Sequence, residues 1–293
     1  RMGLEEGEVI QHSMVSKSIE RAQKKVEENN FGVRKRLLEY DDVMNVQREN
    51  IYKRRKHALE GDRLKVDIAN MIYDTIEIIV ENNKVTNSYK DYEFDIIRYF
   101  SVSSEFTEEE FEKTENNEIV FKTYRSAYDH YNLKVNSSAE KVYPVIKNVY
   151  ENPSNNFERI VVPFTDGKKT LNVVSNLKLA YESKGETLIN DFEKNISLAI
   201  IDESWKNHLR KMDELKQSVQ LAVHEQKDPL VIYKFEAFKL FQTTLNEINK
   251  EIISFLFKGE LPSKDPSEIR EDRRIRRKQK LNLSKEEVLN SDE

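Results

Sequence analysis

The chain has 293 residues, 34% of them charged and 38% hydrophobic, more charge than one compact globule needs and a good match for long helices that bury a single face. It contains no cysteine, which excludes disulfides and thiolate zinc sites, and its net charge of −5 argues against a general nucleic-acid binder. No apolar stretch approaches the roughly 20 residues that a helical bilayer span needs, and Arg1 stands where an initiator methionine belongs, so the sequence is read as a piece of a longer polypeptide.

Seven glycines and six prolines, most in the middle third or the tail, leave long stretches free of helix breakers. Val15, Ile19, Ala22 and Val26, then Val33, Leu37, Tyr40, Met44 and Ile51, recur at three and four residues, with gaps at Asn29-Asn30 and Gln47-Arg48. This spacing predicts one helix of about 45 residues, roughly 70 Å long, with Gly32 as its weak point and Gly61 as its end. A second apolar-periodic helix begins over 64–80, before a polar stretch at 81–90. A module rich in Tyr, Phe and Asn follows, with an acidic helical segment at 107–115 and a helix across 123–131 and beyond. The strand-like run 159–164, the turn residues Asp166-Gly167 and the run 169–174 predict a β-hairpin.

From about Glu186 the helical pattern returns and runs to Phe257, where Gly259, Pro262 and Pro266 stop it. Phe192, Ile196, Ala199, Trp205, Leu209, Met212, Leu215 and Val219 mark one helix face, and Phe238, Phe241, Leu245, Ile248, Ile252 and Phe255 form a 3, 4, 3, 4, 3 seam on the next. A helix of that length is not self-sufficient in water, so the second is expected to pack on the first and on a third helix. The pair then forms a hairpin whose tip, Ala222, Val223, His224, Glu225, Gln226, Lys227, Asp228 and Pro229, is presented to a partner. Asp228 is the expected N-cap and Pro229 the first helical residue, which explains those two but not His224, Gln226 or Lys227.

The fold class is therefore mainly α: a long-helix segment over 1–60, an inserted module over 61–185 with its hairpin near 159–174, a returning helical segment over 186–262 containing the two-helix projection at about 197–257, and a charged tail over 263–293 expected to be disordered.

The sequence offers little for catalysis. His12, His57, His130, His208 and His224 are scattered and none lies in a metal-binding spacing, so no metal site is expected. Gly3 to Gly7 lacks the Lys-Ser/Thr ending of a phosphate loop, so the chain is not expected to bind a nucleotide cofactor of its own. Glu39, Tyr40, Asp41 and Asp42, with Asn45, Gln47 and Arg48 a turn or two later, form a polar cluster in the long helix: either a solvated face or a docking site for a basic partner domain. Trp205, the only tryptophan, and His208 belong to a helix interface rather than a ligand site. In the tail, Arg273, Arg274, Arg276, Arg277, Lys278 and Lys280 form a basic run, read as solvated linker with anionic lipid headgroups as the alternative contact.

Three stretches resemble the C-terminal half of the SecA family, the motors of bacterial preprotein translocation: 3–12 continuing through 19–26; Asn30-Phe31 with 34–45, Gln47-Arg48 and Ile51-Tyr52; and Ile201-Asp202, Trp205-Lys206, His208-Leu209, Met212-Asp213 and 226–229 with Tyr233-Lys234 and Phe238. The resemblance implies that residues 14–60 are the long helix of a helical scaffold lying along the motor domains, that 61–185 are the helical wing, and that 197–257 are a two-helix finger. The finger's tip would enter the SecYEG channel and act on unfolded preprotein, and the hairpin would also regulate the ATPase. ATP and magnesium would bind in motor domains absent from this chain, and the parent protein would be a cytoplasmic ATPase peripheral at the cytoplasmic face of the inner membrane. Many members carry tyrosine where this sequence has His224, the family's zinc module is absent, and the wing is enlarged by the 159–174 hairpin. Two other readings of the residues remain: a freestanding helical adaptor or coiled-coil protein, and a helical RNA-binding protein, against which the acidic balance counts.

Overall fold

The computed structural model describes residues 13–61, 63–152, 157–219, 228–260 and 270–271. The 48-residue helix α1 (Ser13–Glu60) runs without interruption through both gaps in its apolar pattern, and ends where Gly61, at φ +81°, donates its N–H to the His57 carbonyl at 2.9 Å. Helix α2 (Leu64–Val85) buries Leu64, Ile68, Ile72, Ile76 and Ile79 on one face. Helix α3 (Tyr89–Phe100) is capped by the Ser88 hydroxyl, and α4 (Glu108–Lys113) by a reciprocal capping box between Thr107 and Glu110. The acidic segment at 107–115 thus forms a helix because its first-turn carboxylates sit at the positive end of the helix dipole. Helix α5 (Asn116–Glu151) continues through Pro144.

The predicted hairpin is present as β1 (Arg159–Thr165) and β2 (Thr170–Asn176), paired antiparallel from Thr165↔Thr170 to Arg159↔Asn176. In its turn the Asp166 carboxylate accepts the N–H groups of Lys168 and Lys169 at 2.8 and 2.7 Å, and Ile160, Val162 and Phe164 turn inward. Two tail residues, β3 (Arg270–Glu271), pair with the other edge of β1, a strand that the polar tail sequence did not predict. Helices α6 (Leu177–Glu182), α7 (Glu186–Ser218) and α8 (Pro229–Lys258) complete the order. None of the described helices is long and apolar enough to cross a membrane.

The chain divides into two compact units: residues 1–50 with 210–241, and residues 51–209 with 242–293. The second holds most of the buried apolar residues, and Phe257 is a hub within it: its ring lies 5.3 Å from that of Phe100, 5.2 Å from Tyr131 and 6.2 Å from His130. The Tyr92 and Phe111 rings stack at 4.6 Å, and the buried Tyr92 hydroxyl hydrogen-bonds Thr123 Oγ1 at 2.7 Å. His208, read from sequence as an interface residue, is buried with Nδ1 3.0 Å from Thr244 Oγ1, and its ring stacks on Trp205 at 5.5 Å. The exposed Arg55 guanidinium grips both Asp202 oxygens, at 2.9 and 3.3 Å.

Lys134 of α5 donates to the carbonyls of Leu256 and Phe257, two of the acceptors that the end of α8 leaves without helical partners. Burial lowers its ammonium to about 8, against an ordinary 10.5. The native state therefore sheds this proton first, the unfolded chain binds more protons between about pH 8 and 10.5, and Lys134 makes stability rise with pH across that window. Urea denaturation of wild type and Lys134→Met at several pH values should show a smaller rise in the variant. Parallel curves would mean that the ammonium titrates normally in the folded protein.

Candidate functional site

The first unit is built by three helices. Met212, Val219, Tyr233 and Ala237 form its buried cluster, with Leu215, Ile232 and Leu240 beside them and Tyr40, Val43 and Met44 supplied by α1. The third helix expected from the sequence is thus α1. Its tightest point is Gln47, 4% exposed, whose side-chain amide donates to the Ala237 carbonyl at 3.1 Å. A polar residue at a core position is tolerated there because it is hydrogen-bonded, and the absence of a large side chain at Ala237 lets the helices approach. The sequence groups Gln47 with the solvated polar cluster of α1, and the structure corrects this: its amide turns inward because the Ala237 carbonyl offers it an acceptor.

The seam on α8 holds at Ile248, Ile252 and Phe255, with Phe241 and Leu245 partly buried, and departs from the predicted one at Phe238. Phe238 is 58% exposed, and the buried row runs Tyr233, Ala237, Thr244, Ile248, Ile252 and Phe255. Phe238 loses its place to Ala237, one residue earlier, because the close contact with α1 selects the small side chain. Val231, Phe235 and Phe238 consequently form an exposed row at i, i+4 and i+7, with the Lys239 ammonium 4.1 Å over the Phe235 ring. The N-terminal part of α1 behaves similarly: Val26, Phe31, Val33, Leu37 and Leu38 are each more than half exposed.

The predicted α1 cluster divides. Tyr40 is half-buried, its ring 4.7 Å from that of Tyr233 and under the Lys216 ammonium at 5.7 Å. Asp41, Asp42, Asn45 and Arg48 are exposed, with Arg48 donating to the Asn45 side-chain oxygen at 2.9 Å. Burial raises the Tyr40 phenol, and the Asp228 carboxylate adds to the rise. Tyr233 is pushed up to about 12 by burial, with Asp213 and Asp41 adding to it. Residues singled out in α1 and at the start of α8 therefore share one electrostatic neighbourhood around a Tyr–Tyr pair.

Of the predicted tip, Asp228 and Pro229 are described. Pro229 opens α8, and Asp228 caps it by accepting the Leu230 N–H at 2.9 Å. Ala222, Val223, His224, Glu225, Gln226 and Lys227 lie outside the described residues, as do Arg273, Arg274, Arg276, Arg277, Lys278 and Lys280.

Comparison with known proteins follows the same regions. The family described as the SecA Wing and Scaffold domain matches residues 9–260. The protein translocase subunit SecA of Christiangramia forsetii is 65% identical over 293 residues, all of this chain and 26% of the relative, and that of Flavobacterium psychrophilum is 64% identical over the same span. That of Bacteroides fragilis is 49% identical over 268 residues, 92% of this chain and 24% of the relative. The chain thus spans about a quarter of the length of these curated relatives.

Proposed function

Because the chain belongs to the SecA family and carries its wing and scaffold region, we propose that it is the non-catalytic, C-terminal portion of a preprotein translocase that couples ATP hydrolysis elsewhere in the protein to polypeptide movement. In this reading 1–60 and 186–262 are the scaffold, 61–185 are the wing, and about 197–257 are the finger. ATP and magnesium bind in motor domains outside this chain, and the chain performs no bond chemistry. Its partners are those motor domains, the SecYEG channel and unfolded preprotein, with anionic lipid meeting the basic run 273–280. No specific nucleic acid is involved. The parent protein works from the bacterial cytoplasm, peripheral at the inner membrane.

The observation that carries the reading is the pairing of a shared core with unshared surface in the first unit. Asp41, Asp42, Asn45 and Arg48 face outward, as do Phe31, Leu37 and Leu38, so α1 offers both charge and apolar area to a neighbour. On the inner side, Tyr40 meets Tyr233 and Gln47 holds Ala237, so displacement of α1 is passed to α8 through packed rings and a buried hydrogen bond. Segment 222–229, which joins α7 to α8, is the working end, and His224 brings a titratable imidazole to it.

The test places cysteine at His224 in the parent protein, where it is the only thiol in this region, and measures cross-linking to a stalled preprotein and to the channel during ATP hydrolysis. Adducts with both are expected. Adding Asp41→Ala with Asp42→Ala, both exposed and so harmless to folding, should weaken motor-domain binding on the order of tenfold and lower adduct yield with it. No adducts from an active motor would remove the finger from the translocation path. Unchanged yield and ATPase in the double variant would remove the docking role of the two aspartates.

A further inference from the structure

Within the second unit, the last turns of α1 together with α2, α7 and α8 border a cavity of about 200 Å³. Nothing in the proposed translocation role uses it. Ser197, Ile201 and Asn249 on its lining are buried, at 0%, 3% or less and 5% exposure in the case of Ser197, Ile201 and Asn249 respectively, while Asn70 and Asp74 are exposed, so it opens to solvent along α2. The Ser197 hydroxyl has no hydrogen-bond partner among the described residues, although a serine inside a helix ordinarily bonds back to a carbonyl of the preceding turn or stands in water. A buried hydroxyl left unmatched costs about as much as a lost hydrogen bond, and one on a cavity wall marks where a bound group would supply that bond.

The charged groups on the same lining are also short of partners. Arg54 Nη1 donates to the Asn249 side-chain oxygen at 3.1 Å, which leaves the rest of the guanidinium and the Asn249 amide nitrogen without an acceptor among the described residues. Asp67 lies 3.4 Å from His57 Nδ1, whereas Asp74 has neither an ion pair nor a hydrogen bond among the described residues. Burial pulls the Arg54 guanidinium below its ordinary value and raises the Asp74 carboxyl, each opposed by the charge of the other, so the two act on each other through space without touching. A purely structural pair would close that gap. Arg54 is instead held on Asn249, which gathers donors from Arg54, Asn249 and Ser197 and leaves an open carboxylate at Asp74. A lone anion would meet Asp67 and Asp74, a lone cation would meet Arg54, and a molecule carrying both charges satisfies each. Leu64, Met71 and Ile201 supply an apolar wall.

We propose that this cavity binds a small α-amino acid as its zwitterion, the carboxylate accepting from Arg54, Asn249 and Ser197, the ammonium donating to Asp74, and a short side chain lying against Leu64, Met71 and Ile201. Isothermal titration calorimetry of the full chain with L-alanine tests it, with acetate and ethylamine as half-ligands that each carry one of the two charges. Saturable 1:1 heat is expected from alanine. Acetate and ethylamine should each bind at least tenfold more weakly, because each leaves one set of polar groups unanswered. No saturable heat from alanine would mean a cavity filled by water only and overturns the proposal. So does acetate or ethylamine binding as tightly as alanine.

Ser197→Ala should bind alanine at least fivefold more weakly while melting no lower than wild type, because the change removes a buried hydroxyl that has no bond to lose. A serine that only supports the fold would do the reverse, lowering the melting temperature and leaving affinity unchanged. Asp74→Asn, at an exposed position and so harmless to folding, should weaken binding at least tenfold and serves as the second variant if Ser197→Ala fails to fold. Wild-type affinity in either folded variant overturns the proposal.

Discussion

Replacing Phe257 with alanine should cost the second unit about 3–5 kcal/mol, the range for removing a fully packed aromatic side chain. Phe257 is 3% exposed and meets the rings of Phe100, Tyr131 and His130, two of them at centroid separations of 5.3 and 5.2 Å. Each good ring pair adds about 0.5–1.5 kcal/mol beyond the buried area, and the vacated space is bordered by rings on different helices that cannot all move in to fill it. The measurement is the urea midpoint, with an unchanged slope as evidence that stability alone has shifted. Phe238→Ala in the same helix is the control: a phenylalanine 58% exposed should cost less than about 0.5 kcal/mol within this chain. Equal losses from the two would contradict the seam described for α8. In the parent translocase Phe238→Ala has a separate use, since a loss of partner binding there would show that its exposed row is covered.

The second large effect belongs to Gly185. Its φ of +95° is unfavourable for any L side chain, and a Cβ would lie 2.8 Å from the Ala139 carbonyl oxygen, a backbone atom of α5. The glycine also closes α6, donating its N–H to the Ala180 carbonyl at 2.9 Å, while Lys184 before it adopts φ 54° and donates to Tyr181 at 3.1 Å. Strain and overpacking therefore add, and Gly185→Ala should destabilise by about 2–4 kcal/mol. Gly32→Ala should do the opposite. Gly32 lies inside α1 with nothing within 4 Å of a new Cβ, so alanine should raise α1 stability by about 0.5–1 kcal/mol, seen as greater helicity and slower amide exchange around it. A neutral Gly185→Ala would mean that the turn relaxes away from α5 at little cost.

These two sites show how differently the sequence speaks about helix ends and helix faces. The ends were legible: Gly61 after α1, Asp228-Pro229 at the start of α8 and Asp166-Gly167 in the hairpin act through φ, a missing N–H or a short side-chain acceptor, which are properties of the residue itself. The lengths of α1 and of the helical stretch from 186 to 257 followed from apolar spacing, and the ordered runs at 34–45 and 201–213 pointed to the family. Of the polar α1 cluster, Asp41, Asp42, Asn45 and Arg48 are exposed, while Tyr40 is half core and Gln47 is buried.

What the sequence by itself determined is therefore the long helices α1, α7 and α8, the hairpin and the family, because local backbone chemistry and periodicity are written residue by residue, whereas α3, α6 and the full extent of α5 were not read from it. Tertiary structure alone decided that Ala237 rather than Phe238 faces inward on α8, why Gln47 is inside, that two tail residues complete a sheet, and that Glu193 lines a cavity. Neighbouring rows of a helix differ by only about 100°, so the choice between Phe238 and Ala237 depends on how closely a partner helix approaches. The burial of Gln47 and Glu193 likewise depends on an acceptor or donor far along the chain, the Ala237 carbonyl for one and the Tyr131 hydroxyl for the other.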